Sequence, residues 1–246
     1  RVAARQIGKY VKDYQVNLSA PYYVVTVLHI SMQSLPEEER EDPFLLAMAV
    51  KKYAEEQVDE RWNSRFVIYL GDIIMISQLQ EKDNLIAYTD EMDRLCRMAR
   101  KVCNARVTAG IGYLCDSLEQ IPFSYQGAKQ AVSYRVLYGN IRSISISEVE
   151  PGETAELQRV DAYADLIQRI IKKIRVGEEN VLQEAIHDFI QWLNEAHLSM
   201  QNYRIVMMEL ISELVRFAAG HDLSIDNVSG TGTDAYHQTL QMESTE

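Results

Sequence analysis

Residues 65–78 read RFVIYLGDIIMISQ, and what this stretch becomes decides the fold. Two apolar runs, 66–70 and 73–76, flank Gly71-Asp72, and β-branched or aromatic residues dominate both. That is the composition of a strand, a tight turn and a strand. Taken alone it is a plain hairpin, with Gly71 supplying a turn geometry that other residues resist.

On its N-terminal side, Pro21 opens YYVVTVLHIS, a run too short and too rich in β-branched residues for a helix, which predicts a first, buried strand. Between this strand and the hairpin, 33–43 reads QSLPEEEREDP. Two prolines around dense acids make a solvated loop. Glu37, Glu38, Glu39 and Asp42 are metal-ligand types, but consecutive acids in a Pro-flanked run point in different directions and do not make a coordination shell. Phe44 to Trp62 places Leu45, Met48, Ala49, Tyr53 and Val58 among charged residues, the pattern of an amphipathic helix. At the start of the chain, Val2, Ile7, Tyr10, Val11 and Tyr14 recur at helical intervals with basic residues between them, predicting a leading amphipathic helix.

On its C-terminal side, 83–103 carries Leu85, Tyr88, Met92, Leu95 and Ala99 at steps of three and four, with Asp83 placed to cap the helix. A strand is expected over 106–114, where Gly110 and Gly112 allow close backbone approach. A helix is expected over 122–138, stopped by Gly139-Asn140, and then a short strand over 144–147 before Pro151-Gly152. The order strand, helix, hairpin, helix, strand, helix, strand describes a mixed sheet covered by helices. Beyond Pro151 the pattern becomes helical throughout. Ile167, Ile170, Ile171 and Ile174, then Leu182 to Leu193, then Val206 to Phe217 predict three short-linked helices in an antiparallel bundle, with Ser199 capping the last. From Ser229 the chain is rich in Gly, Thr, Ser and Gln and reads as a disordered tail.

Composition narrows the function. In 246 residues, 47% are apolar, enough for a packed core, and the net charge of -11 argues against this segment gripping nucleic acid. Three cysteines fit no zinc spacing or disulfide framework and read as reduced thiols. No stretch is long enough to span a membrane and no signal-peptide pattern opens the chain, so a cytoplasmic fragment without membrane contact is expected. The chain opens on Arg1, already helical in pattern, as a piece of a longer protein would.

The hairpin, Val107 to Gly112 (VTAGIG), Ser124-Tyr125 with Ala128 and Ala131, and Gly139, in this order, resemble the GGDEF domain of diguanylate cyclases. More narrowly they resemble the degenerate GGDEF-like domain in the middle of AraC-type transcriptional regulators, many of them two-component response regulators. The resemblance implies an α+β fold, a GGDEF-like mixed sheet flanked by helices followed by a small C-terminal helical bundle. The expected divisions are 1–19 leading helix, 20–150 degenerate GGDEF-like domain, 151–228 helical linker bundle and 229–246 tail.

Active members of that family hold metal ions with carboxylates at the end of the first strand and in the hairpin. Leu70, Gly71, Asp72, Ile73 and Ile74 stand here where the family has Gly-Gly-Asp-Glu-Phe, and His29 and Ser31 stand where an aspartate pair is expected. Val136 replaces a phosphate-contacting lysine three residues before the glycine. The resemblance therefore implies no enzyme activity, no cofactor and no metal. It implies a sensory or coupling segment that relays a signal from an upstream receiver or sensor domain to AraC-type helix-turn-helix units, which would hold the DNA. A homodimer joined through the leading helix and the bundle is expected. The alternatives are a small-molecule or nucleotide sensor using a residual cleft at His29, Ser31 and Val136, and a divergent nucleotide cyclase using Asp72 and the acidic loop.

Overall fold

A computed structural model of the chain describes residues 19–31, 42–150, 160–196 and 198–221. The leading helix, Glu37 to Glu39, the corner at Pro151-Gly152 and the tail lie outside the described residues. The chain divides into two units at Glu148/Val149.

The first unit is built on β1 (Tyr22–Ile30), which is central because it is apolar on both faces and buried nearly throughout. Helix α1 (Pro43–Gln57) follows, then a 3-10 turn (Glu60–Trp62) and the hairpin β2 (Arg65–Tyr69) and β3 (Asp72–Leu79). Helix α2 (Asn84–Val102), β4 (Val107–Ile111), α3 (Ile121–Ser133), the short α4 (Arg135–Tyr138), β5 (Ser143–Ser145) and the short α5 (Ile146–Val149) complete it. The sheet order is β2-β3-β1-β4-β5, antiparallel except for the parallel β4–β5 pair. This is the expected mixed sheet with helices on both faces.

Strand alternation assigns the faces. Val24, Leu28, Ile73, Met75, Val107 and Ile111 pack with Leu46, Val50 and Ala54 of α1 and with Met92, Leu95 and Cys96 of α2. Val27 points the other way, onto Ala128 and Val132 of α3. Within the larger core, the Tyr88 hydroxyl is shared between Thr26 Oγ1 at 2.7 Å and Ser77 Oγ at 3.0 Å, so its burial leaves no polar atom stranded.

Several boundaries differ from the sequence expectation. The hairpin turns at Leu70-Gly71, one residue earlier than Gly71-Asp72, because Tyr69 pairs with Asp72. Both turn residues have positive φ, 53° and 86°, as a two-residue turn matched to strand twist requires. Helix α1 stops at Gln57, and Trp62 reaches the core from the separate 3-10 turn. Asp83 occupies the N-cap of α2 but makes no capping hydrogen bond, since its backbone is already helical. The helix expected over 122–138 breaks at Tyr134. The last strand ends at Ser145, and Ile146 and Ser147 begin α5 instead.

The second unit contains α6 (Val160–Val176), α7 (Glu179–Glu195) and α8 (Met200–Ala219), the helical bundle expected. Helix α6 packs against both others, burying Ile167, Ile170 and Ile171 with Ala185, Phe189 and Leu193 of α7 and Tyr203 and Val206 of α8. Gly177, at φ 75°, terminates α6, and Ser199 caps α8 by accepting from the Asn202 N–H. Arg169 of α6 pairs with Asp188 of α7 at 2.8 Å, and the Tyr163 hydroxyl donates to Glu209 of α8 at 2.8 Å.

Candidate functional site

The C-terminal end of β1 lies beside the hairpin turn because β1 and β3 pair with Leu28 opposite Ile73. The next residues along are His29 and Asp72, and they meet. The imidazole Nδ1–H donates to Asp72 Oδ1 at 2.8 Å, and each side chain is about a quarter exposed (26% and 24%). His29 shares the α3 face with Val27 by alternation, and across the other edge of β1 it stands opposite Thr108 of β4.

A second polar group closes the same end of the sheet. Ser31 Oγ donates to Asn140 Oδ1 at 3.2 Å, and Thr108 Oγ1 donates to the same oxygen at 3.4 Å. Asn140 is delivered there by the turn after α4, where Gly139 has φ 83° and Ile141 φ 65°. A β-branched residue in that region is strained, so the turn is held by its contacts and not by local preference.

The two glycines of VTAGIG, further back along β1 beside Val27 and Val25, let α3 lie directly on the sheet. A Cβ on Gly110 would collide with the Ala128 carbonyl and with Val132, and one on Gly112 with the Ser124 carbonyl. The Ser124 hydroxyl, fully buried, accepts from the Val25 N–H at 2.9 Å and so ties α3 to the central strand. The motif residues at 110, 112, 124 and 128 are thus one packing device.

The structure gathers some of the sequence-derived site residues and separates others. His29 and Asp72 are joined, and Ser31 is one strand position further along the same face. Leu70 is 81% exposed at the tip of the turn. Ile73 is fully buried on the opposite face, against Leu28 and the α1–α2 layer. Ile74 is half-buried on the α3 side of β3, and Val136 is buried in α4. Leu70, Ile73 and Val136 therefore do not line one apolar pocket, because Leu70 sits in the turn and Ile73 points to the far side of the sheet. Asp42 caps α1 by accepting from the Phe44 N–H at 2.8 Å.

Chemically, the cluster is one carboxylate held by an imidazole, with hydroxyl and amide groups bonded to one another. Among the described residues no three His, Cys, Asp or Glu side chains converge on a metal-sized site, and no helix is long and apolar enough to cross a membrane. Asn140 and Thr108 were not singled out as site members by sequence. Asn140 reads as a helix stop, and the clue it offered was only an amide-bearing residue following Gly139 in a turn that returns to the sheet.

No curated protein matches the chain, and no solved structure does. Residues 3–134 match the GGDEF-like domain. With the match spanning just over half of its residues and the VTAGIG and Ser124–Ala128 segments interlocked as described, the chain belongs to the GGDEF-like domain family.

Proposed function

We propose that the chain is a non-catalytic sensory, coupling and dimerisation segment of a cytoplasmic DNA-binding regulator. It would pass a signal from an upstream receiver or sensor domain to downstream AraC-type helix-turn-helix units. The observation that carries the non-catalytic reading is the His29–Asp72 hydrogen bond at 2.8 Å. The one acid retained in the hairpin is engaged by a side chain of the strand that, by the resemblance, would supply a second acid. A hard divalent cation needs several oxygen ligands, and an imidazole already bonded to the carboxylate opposes it. Val136, buried and apolar, stands where a lysine would meet phosphate.

The regulator context rests on the resemblance of the ordered motifs, supported by a helical unit immediately after the GGDEF-like one. Isothermal calorimetry with magnesium and GTP at millimolar concentration tests the first part, and no heat of binding is expected. Saturable, magnesium-dependent heat would overturn it in favour of a divergent cyclase. Light scattering on a gel-filtration column tests the second part, a dimer being expected and a strict monomer at high concentration counting against it. Sequencing the reading frame on both sides tests the third, since neighbouring receiver and helix-turn-helix segments are expected and their absence would sink the regulator reading.

A further inference from the structure

The sheet of the first unit has β5 at one edge and β2 at the other, and the two edges are finished differently. At β5 every residue is buried and α2 covers the strand, the Ser143 N–H donating to Asp93 and the Ser143 hydroxyl to the Thr89 carbonyl, each at 3.1 Å. The outer side of β2 has no such cover among the described residues. Tyr69 and Asp72 flank the two-residue turn, so they exchange the closing pair of hydrogen bonds, and bonding alternates from there along the strand. Arg65, Val67 and Tyr69 therefore direct their N–H and C=O groups to β3, while Phe66 and Ile68 turn theirs outward. Exposed edges are ordinarily guarded by lysine, proline or a bulge. RFVIY has none of these, its pairing with β3 is continuous, and its one charge, Arg65, stands at the end. Val67 and Tyr69 are 53% and 54% exposed, so nothing covers the outward face of the strand either.

We propose that β2 pairs antiparallel with β2 of a second copy, centred on Val67, joining the two five-stranded sheets into one. The strand is self-complementary in this register, which is the one that pairs all of its residues. Phe66 and the partner's Ile68 form a hydrogen-bonded pair, and the twofold axis repeats it, so the outward N–H and C=O groups of both copies are satisfied. Val67 meets the partner's Val67 on the axis in a non-hydrogen-bonded pair, where side chains approach most closely. Arg65 lies opposite the partner's Tyr69 on the same face, a guanidinium beside an aromatic ring. The two arginines stand at opposite ends of the ribbon, so like charges do not meet. An unrelated extended peptide would supply the hydrogen bonds but not these matched side chains, which is why the second copy is the occupant. Five residues a side bury less than the ~1,200 Å² of a stable interface, so the association is weak and follows concentration. The inference names an interface for the dimer proposed above and rests on that part of the reading, but not on the regulator context.

The test uses the full 246-residue chain and first reads amide hydrogen exchange by NMR, which needs no variant. The Phe66 and Ile68 amides are expected to gain protection as protein concentration rises, while Val67 and Tyr69, bonded to β3, stay protected at every concentration. In a Cys103→Ser background, Val67→Cys should give a disulfide-linked dimer on mild oxidation. Tyr69→Cys should not, because its opposite number is Arg65. Val67→Lys sets like charges against each other on the axis and should weaken association roughly tenfold or more in sedimentation equilibrium. A strict monomer at every concentration would overturn both this interface and the proposed dimer. A dimer indifferent to Val67→Lys and not linked through Val67→Cys would overturn the interface alone. Equal protection of Phe66 and Ile68 at every dilution would also overturn it, assigning the edge to a segment of the same chain.

Discussion

Glu91 of α2 accepts from the indole Nε1–H of Trp62 at 2.8 Å, and with its other oxygen from the Asp59 backbone N–H at 2.7 Å. The carboxylate is 7% exposed, and Arg61, lying over the Trp62 ring, reaches it at 3.5 Å. One side chain thereby fixes the 3-10 turn that feeds the hairpin. Glu91→Ala leaves the buried Trp62 indole N–H and the partly buried Asp59 N–H without their acceptor and should destabilise the first unit by about 2–3 kcal/mol. Urea unfolding followed by Trp fluorescence measures it, and a change within error would mean the turn is held by packing alone.

Gly110→Ala and Gly112→Ala place a methyl group on the backbone carbonyls of α3. Neither carbonyl can move without lifting the helix from the sheet, so each variant should cost about 3 kcal/mol or more. Gly71→Ala has open space around the new methyl but sits at φ 86° and should cost only about 1 kcal/mol. Thermal melts that ranked Gly71→Ala as the worst of the three would contradict the packing account.

Leu70 is a solvent-exposed leucine at φ 53°. Leu70→Asn, a residue that tolerates this conformation, should stabilise the hairpin by about 0.5–1 kcal/mol. An unchanged urea midpoint would show that Leu70 is held by a contact in the full assembly that offsets its strain.

The His29–Asp72 bond is partly exposed, so its contribution is modest. A double-mutant cycle with His29→Gln and Asp72→Asn should give a coupling of about 0.5–1 kcal/mol, shrinking as salt is raised. Zero coupling at low salt would remove this bond as support for the proposed non-catalytic reading.

Burial pushes the Cys96 thiol from 9.0 up to about 12, and burial also raises Tyr88. Both groups keep their protons longer when folded than when unfolded. Their contribution to stability is therefore complete below the unfolded values, near 9 for the thiol and 10 for the phenol, and is lost as pH rises toward the folded ones. Between pH 8 and 10.5 Cys96 alone should cost the first unit about 2 kcal/mol, and Cys96→Ala should flatten that slope. Labelling with a thiol reagent gives a second readout, with Cys103 reacting first in the folded protein and Cys96 only on unfolding.

What the sequence determined by itself is what local chemistry encodes. The alternation of β-branched residues made 22–30 and 65–79 strands, the three-and-four spacing made the helices of both units, and Gly110 and Gly112 marked a close backbone approach, while Ser124 and Ala128 stood only as motif residues whose place against those glycines is a matter of tertiary structure. The family followed from that ordered set. The ends of elements were less legible, because a cap or a turn depends on one or two hydrogen bonds that neighbouring registers compete for. Leu70 took the left-handed turn position, despite its own preference, because strand pairing put Tyr69 opposite Asp72. Only the tertiary structure decided the site. His29 and Asp72 lie 43 residues apart and Ser31 and Asn140 lie 109 apart. Ile73 and Leu70, adjacent to the same glycine and acid, went to the far face and to solvent. Pairing register and the direction a side chain takes from the sheet are properties of the assembled strands, and no single segment carries them.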